Sequence, residues 1–511
     1  MDTRREVEHL VIGAGFAGLC MAIKLQEDGE TDFVVIERGP DVGGTWRDNT
    51  YPGAACDVPS QLYSYSFALN PDWSMSFSPQ PEIQAYLQRV ARDSCVLDRF
   101  RFDTTLEEAR WDEATSRWLV STSAGGFSAR TLISGAGALA EPRLPDIAGI
   151  EGFQGEVFHS ARWNHDVDLA GKRVAVIGTG ASAIQIVPEI AEVVGHLDLY
   201  QRTAPYVLPR HDRRYRGVER LFLRHVPGVQ RAYREAIYWA REAYVPGFTW
   251  QPRLAWPAKR LALRNLAGSV ADPALRAKLT PDHEIGCKRI LLSNTYYPAL
   301  TRDHVDLVTD PILKVTGHGV VTADGTERTA DVLVVATGFH ATDPPIAHHV
   351  HGRGGRSLAD HWADTGMAAY KGTTVHGFPN YFQIVGPNTG LGHSSMVLMI
   401  ESQVGYVRDA LQTMARNDYA TVEPRRDAQD AWNDDLHRRM QRTVWSTGGC
   451  SSWYLDERGR NTTLWPRTTF TFRSLLSRFD PTAYELTSGT THVTRAPAPI
   501  STPLPTSEVD A

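Results

Sequence analysis

Two glycine clusters in this chain have the type and spacing to hold phosphates: Gly13-Ala14-Gly15-Phe16-Ala17-Gly18 and Gly178-Thr179-Gly180-Ala181-Ser182-Ala183. Each follows an apolar run, Leu10-Val11-Ile12 or Val174-Ala175-Val176-Ile177, of the kind that forms a buried strand. Glycines at a strand–helix junction allow a tight turn and let backbone N–H groups approach a pyrophosphate at the helix N-terminus. A single copy is weak evidence, since chance matches to three glycines are common. Two copies in the same context imply two dinucleotides in one protein.

The residue that ends the second strand of each unit separates the two ligands. From Gly15 to Glu37 is 22 positions, and from Gly180 to Arg202 is also 22. Glu37 follows Phe33-Val34-Val35-Ile36 and can accept hydrogen bonds from a ribose diol. Arg202 follows Leu197-Asp198-Leu199-Tyr200, and its guanidinium suits a 2′-phosphate, onto whose oxygens it can fork. The first unit therefore reads as a site for FAD or NAD and the second as a site for NADPH.

Two further motifs lie outside the glycine clusters. One is Gly43-Gly44-Thr45-Trp46, then Tyr51-Pro52-Gly53 and Asp57. The other is Phe153-x-Gly155-x-x-x-His159-x-x-x-Trp163, placed between the two dinucleotide units. Together they resemble the signatures of type I Baeyer–Villiger monooxygenases, over essentially the whole chain to about residue 487. The position after Trp163, usually Pro or Asp in that family, is Asn164 here. Trp163 itself favours this family over the sister flavin-containing monooxygenases, which usually carry Tyr or Phe there.

The resemblance implies a specific chemistry. A reduced flavin reacts with O₂ to give a C4a-peroxyflavin, which inserts one oxygen beside a ketone carbonyl and yields an ester or lactone. A fixed cation would stabilise the negative oxygens on that path, and Arg suits the task because it keeps its proton. In Gly286-Cys287-Lys288-Arg289, Arg289 matches the family's active-site arginine and Lys288 its contact to the NADP phosphate. Asp57 matches the carboxylate that positions the arginine. The resemblance further implies FAD contacts from Gly13 to Gly18, Glu37, Gly44, Thr45, Trp46, Tyr63, Ala109 and Met396. It implies NADPH contacts from Gly178, Thr179, Gly180, Ala181, Ser182, Ala183, Ile184, Arg202 and Thr203, with Trp453 at the nicotinamide end. His159 is expected in a conformational linker and not as a general base, and no metal is expected. Two other readings stay open: oxygenation at sulfur or nitrogen, and an uncoupled NADPH oxidase or flavin reductase.

The elements that must position these residues follow from the pattern. The expected fold is α/β, with two Rossmann-like dinucleotide-binding domains and a helical insertion. Residues 1–141 and 340–487 are expected to form a discontinuous FAD domain, and 142–208 with 286–339 the NADP domain. Residues 209–285 are expected as the helical insertion, where Lys and Arg outnumber acids roughly three to one over Pro209 to Leu279. The Thr-, Pro- and Ser-rich tail 488–511 is expected to be disordered.

Bulk properties exclude several classes. A chain of 511 residues is too long for one core. Its net charge of −6 gives no overall reason to expect nucleic acid as a partner. No apolar run reaches the ~18 residues of a membrane span, and the first residues lack the apolar core of a signal peptide. Five scattered cysteines form no CxxC pair; they suit a reducing cytoplasm and are expected to be unpaired. The expected partners are a small-molecule ketone and O₂; the oligomeric state is not readable.

Overall fold

The structure is a computed structural model that describes residues 4–488. Each of its two main sheets contains a strand that runs into a glycine cluster. In the first, β1 (Arg5–Ile12) is followed by helix α1 (Phe16–Glu27) and β2 (Phe33–Ile36). The sheet is extended by β3 (Phe100–Arg101), β4 (Leu106–Asp112), β5 (Arg117–Thr122) and β6 (Gly125–Ser134). β1 lies between β2 and β6, parallel to both, while β4, β5 and β6 form an antiparallel meander. The chain returns to this sheet late: Val350–His351 pairs with β4, and Tyr381–Gln383 pairs with β6.

The second sheet is all parallel, in the order Val305–Val308, β9 (His196–Tyr200), β8 (Arg173–Ile177), Val332–Val335, β7 (Glu156–His159). Helix α4 (Ala183–Ile190) follows β8. In both sheets the strand before the glycine turn, β1 or β8, sits where the chain order reverses, with its sequence successor on one side and a later strand on the other. Such a switch point leaves a crevice at the C-terminal strand ends, the usual place for a ligand in open α/β sheets. Gly13 and Gly178 stand at these two crevices.

Burial explains why the pieces hold. β2 and the Val332–Val335 strand are buried at every position, as a strand covered on both faces requires. Helix α1 is buried along most of its length, and it shares its core with the 22-residue helix Met396–Asn417. Two short helices, α2 (Thr45–Asp48) and α3 (Gln80–Asp93), follow the first unit.

Residues 209–285 form the expected helical segment, with α5 (Gly217–His225), α6 (Val229–Glu242), α7 (Val245–Thr249), α8 (Trp256–Ser269) and α9 (Pro273–Lys278). It is anchored by the buried Arg234, whose Nη1 donates to the carbonyls of Gln61 and Leu62 at 3.2 and 2.9 Å. Two expectations need correction. Ser488 closes the strand Tyr484–Ser488, paired with Tyr419–Pro424, so the expected tail begins beyond it and lies outside the described residues. Cys287 and Cys450 are joined by a disulfide, 163 residues apart in sequence. Sequence spacing could not show this pair, because tertiary folding alone brings the two segments together.

Candidate active site

The first glycine turn is set by close approach. A side chain at Gly18 would stand 1.7 Å from the carbonyl oxygen of Gly13, so α1 can begin against β1 only with glycine there. Across the crevice, Gly44 adopts φ +53°, and a Cβ on it would reach 2.9 Å from the Cα of Gly15. Two bare backbones thus face each other in a slot that a side chain would fill, at the N-terminus of α1. Ala14 and Ala17 are buried behind it, and Phe16 packs edge-on against Tyr63 at 5.1 Å.

Glu37 accepts from Ala14 N–H at 2.7 Å and Gly39 N–H at 2.8 Å, and from Arg47 Nη1 at 2.8 Å. A carboxylate has about four acceptor positions, so one remains for a ribose hydroxyl. Arg47 escaped the sequence reading, and only its proximity in α2 reveals it. Thr45 and Trp46 open α2, and Trp46 Nε1 donates to Tyr63 Oη at 2.9 Å. Met396 begins the helix Met396–Asn417, partly buried against the same core.

Ala109 lies on β4, which starts two residues after Thr104, whose N–H donates to the carbonyl of Glu37 at 2.8 Å. Its side chain is fully buried in a core that also holds Ile12 and Ile36.

The second turn differs in one respect: a Cβ on Gly180 would meet nothing within 4 Å, which leaves space above the turn for a ligand backbone. Thr179 Oγ1 donates to the carbonyl of Thr203 at 3.2 Å. Gly178 and Ala181–Ser182 complete the turn, and Ala183 and Ile184 start α4, both buried. Beside it opens a cavity of about 300 Å³ lined by Arg202, Thr203, His283, Lys288 and Cys450, among others. Lys288 Nζ donates to Thr203 Oγ1. Burial, then the charge of Arg202, lowers the Lys288 ammonium from its ordinary value. Two cations thus share a small cavity with one carboxylate, Asp282, and the remaining positive charge suits an anion. These donors and the glycine cradles fit the dinucleotide pair that Glu37 and Arg202 indicate. The disulfide bears on this cavity directly, because Cys287 precedes Lys288 and Cys450 lines the wall.

Between the two crevices lies the pair Arg289–Asp57. Arg289 Nε donates to Asp57 Oδ2 at 2.9 Å, and Nη2 donates to Oδ1 and Oδ2 at 2.7 and 2.6 Å. Burial alone would raise the Asp57 carboxyl, but the charge and hydrogen bonds of Arg289 outweigh it and hold it below its usual range. Asp57 in turn holds the guanidinium above its ordinary value. The pair is not sealed: the two side chains remain 34% and 26% exposed. Asp57 takes Nε and Nη2, and among the described residues Nη1 makes no hydrogen bond, so its two hydrogens can donate to a ligand.

Two neighbours of this pair were not foreseen. Tyr454 is buried beside Arg289; burial pushes its hydroxyl up to about 12, against the pull of the Arg289 charge. Arg241 on α6 is lowered from its ordinary value by burial and drawn back by Asp57. It follows Arg234 by seven residues and so shares its helix face, but no sequence pattern ties it to Asp57. Trp453 packs at a tilt against Tyr454, with ring centroids 4.4 Å apart, and stays 43% exposed at the rim.

The linker motif buttresses the crossing between the two sheets. A Cβ on Gly155 would lie 2.2 Å from the carbonyl oxygen of Asp331 and against the Phe153 ring, so Gly155 is fixed by close packing. His159 ends β7, accepts from Ala161 N–H through Nδ1 at 3.1 Å, and packs its ring edge-on against Phe339 at 5.8 Å. Phe339 bridges to Pro142, so both chain crossings meet next to His159. Burial lowers the imidazole to about 4, which keeps it neutral and removes it as a cation. Trp163 packs edge-on against Phe158 at 5.0 Å. Asn164 Oδ1 accepts from Asp166 N–H at 3.0 Å, a turn that an Asp would make equally well.

A family model described as pyridine nucleotide-disulphide oxidoreductase matches residues 10–216, the stretch that holds both glycine turns. A Baeyer-Villiger monooxygenase of Streptomyces coelicolor is 51% identical over 486 residues, 95% of this chain and 93% of that protein. Among solved structures, cyclohexanone monooxygenase from Rhodococcus sp. Phi1 bound to NADP+ superposes with a TM-score of 0.85. It is 28% identical, over 95% of this chain and all of that one. The OTEMO complex with FAD and NADP gives a TM-score of 0.84 at 29% identity, over 94% of this chain and 99% of that one.

Proposed function

The chain belongs to the Baeyer–Villiger monooxygenases, and on that premise we propose that Arg289 and Asp57 form the catalytic pair of an enzyme that converts ketones to esters or lactones. It is an NADPH-dependent flavin monooxygenase that uses FAD and NADP. The observation that carries the assignment of the pair is the free Nη1 of Arg289, held by a bidentate carboxylate between the two dinucleotide crevices.

FAD, when bound, supplies the electrons taken from NADPH and the activation of O₂. The chain's own residues do the rest. The N-terminus of α1 would hold the FAD pyrophosphate, and Glu37 would accept from its ribose. Arg202, Thr203 and Lys288 would hold the 2′-phosphate of NADP. Asp57 locks the guanidinium plane of Arg289, so Nη1 aims two N–H bonds at the oxygen where negative charge develops on the substrate carbonyl. Raised by Asp57, the guanidinium keeps its proton throughout and acts as a fixed charge. Tyr454 and Trp453 close the wall beside it and limit water.

The other assignments follow the same reading: residues 1–141 with 340–487 hold FAD, and 142–208 with 286–339 hold NADP. The sheet pairings support that division. Among the described residues no helix is long and apolar enough to cross a membrane, and we place the enzyme in the cytoplasm. Its substrates are a small-molecule ketone and O₂.

The test is product analysis by gas chromatography–mass spectrometry of the FAD-loaded enzyme with NADPH, air, and a panel of ketones and thioethers. Esters or lactones that vanish in Arg289→Ala are the expected result. Sulfoxides alone, or hydrogen peroxide without organic product, would overturn the ketone assignment.

A further inference from the structure

One face of the molecule combines exposed aromatic side chains with an arginine-lined cavity. Trp250 is 70% exposed, and Trp239, Leu254, Trp256 and Phe470 are each more than half exposed. These residues are linked in space. The rings of Trp239 and Phe470 lie 6.2 Å apart. Phe470 sits between Thr468 and Thr471, and these line a cavity of about 430 Å³ that Trp250 also lines. Leu254 follows one turn beyond Trp250, and Arg260 covers the Trp256 ring at 5.2 Å.

The cavity itself is cationic. Arg438, Arg439, Arg442 and Arg467 line it against one carboxylate, Asp435. Asp435 pairs with Arg438 and Arg439 at 3.4 and 2.7 Å. Among the described residues the side chains of Arg442 and Arg467 make no hydrogen bond or ion pair. The neighbouring helical segment, Pro209 to Leu279, holds fifteen Lys and Arg against five Asp and Glu, in a chain whose net charge is −6. Arg234 is buried and Arg241 turns to Asp57, and the excess of the remainder still leaves this segment basic in an acidic protein.

We propose that this face docks the enzyme onto an anionic lipid membrane, with a lipid phosphate in the arginine-lined cavity and Trp250, Leu254 and Trp256 in the interface. Tryptophan prefers the headgroup level, where its ring is buried and its N–H stays hydrated. Arginine supplies the attraction to anionic lipids, and apolar side chains add the insertion. Charge decides against a second copy of the chain as occupant: pairing this face with itself would set two strongly basic surfaces together. Helix α6 ties the face to the active site, since it presents Trp239 outward and Arg241 toward Asp57.

The experiment is vesicle co-flotation of the full FAD-loaded chain, with phosphatidylcholine vesicles and with vesicles containing phosphatidylglycerol, at low and high salt. Binding to the anionic vesicles alone, weakened by salt, is expected. Arg442→Ala with Arg467→Ala should lower partitioning about 25-fold, at roughly fivefold per basic residue. Trp250→Ser with Leu254→Ser should lower it about tenfold or more. Both variants should keep the flavin spectrum and the NADPH oxidation rate in lipid-free buffer, which shows that they fold. No binding to anionic vesicles at low salt, or equal binding by wild type and variants, overturns the proposal. So does a concentration-dependent dimer in analytical ultracentrifugation that Trp250→Ser with Leu254→Ser abolishes, because the face would then belong to a second copy.

Discussion

Asp57→Asn isolates what the carboxylate does for Arg289. The substitution keeps the shape and one acceptor but removes the charge and the bidentate grip, which consists of three contacts of 2.6–2.9 Å. A fully exposed ion pair contributes about 0–1 kcal/mol, and removing one partner of a buried pair costs about 3–5 kcal/mol. Here the side chains are 34% and 26% exposed, so the cost falls between these limits, about 2–3 kcal/mol, or roughly 30–150-fold in rate. Arg241 stands nearby, and Asp57 is the main charge that offsets it, which pushes the estimate toward the upper end. The loss should appear in oxygen transfer more than in NADPH consumption, because the 2′-phosphate cavity is untouched. The assay measures ester or lactone formed, hydrogen peroxide released and NADPH consumed in the same reaction. Expected is a fall in product with peroxide making up most of the difference. Product per NADPH within about threefold of wild type, with FAD fully bound, would falsify the positioning role of Asp57.

Further tests address the cofactor cavity, the disulfide and the linker. Arg202→Ala should raise KM for NADPH about 10–100-fold, the value of a charge-assisted hydrogen bond, and leave NADH turnover within a few-fold. An equal loss with both cofactors would remove Arg202 from the 2′-phosphate site. Unfolded without reductant, wild type should titrate three free thiols, from Cys20, Cys56 and Cys95; titration of five would dismiss the Cys287–Cys450 bond. Cys450→Ser should lower stability by about 2–4 kcal/mol and weaken NADP⁺ binding, since Cys450 lines the cavity; an unchanged dissociation constant would argue against that coupling. His159 is held neutral by burial, with its value lowered to about 4. As pH falls below about 6.5 the unfolded chain takes up the proton first, so this stability is complete above 6.5 and is lost progressively toward 4, about 3 kcal/mol in all. His159→Asn keeps an acceptor for Ala161 N–H and should flatten melting temperature against pH over that window. His9 and His361, also lowered to about 4 by burial, should keep part of the slope, and a slope equal to wild type would count against His159.

Much of the chemistry was legible in the chain itself, because local rules govern it. A glycine turn between a strand and a helix is a matter of backbone sterics over a few residues. The 22-residue count to Glu37 and Arg202 follows from the fixed length of a strand–helix–strand unit. The linker motif and the loop carrying Asp57 are short patterns for the same reason. Other features depend on residues far apart in sequence. Asp57 and Arg289 are separated by 232 positions, and the sequence could suggest their pairing only through resemblance. The Cys287–Cys450 bond, Arg241 opposite Asp57 and Tyr454 beside Arg289 carry no local signal, because long-range packing creates each of them. The glycines, Glu37 and Arg202 indicate two dinucleotides from sequence alone, the second with a 2′-phosphate, and resemblance selects FAD over NAD for the first, whereas tertiary structure decides which Arg289 nitrogen is left over, because that depends on how Asp57 meets it.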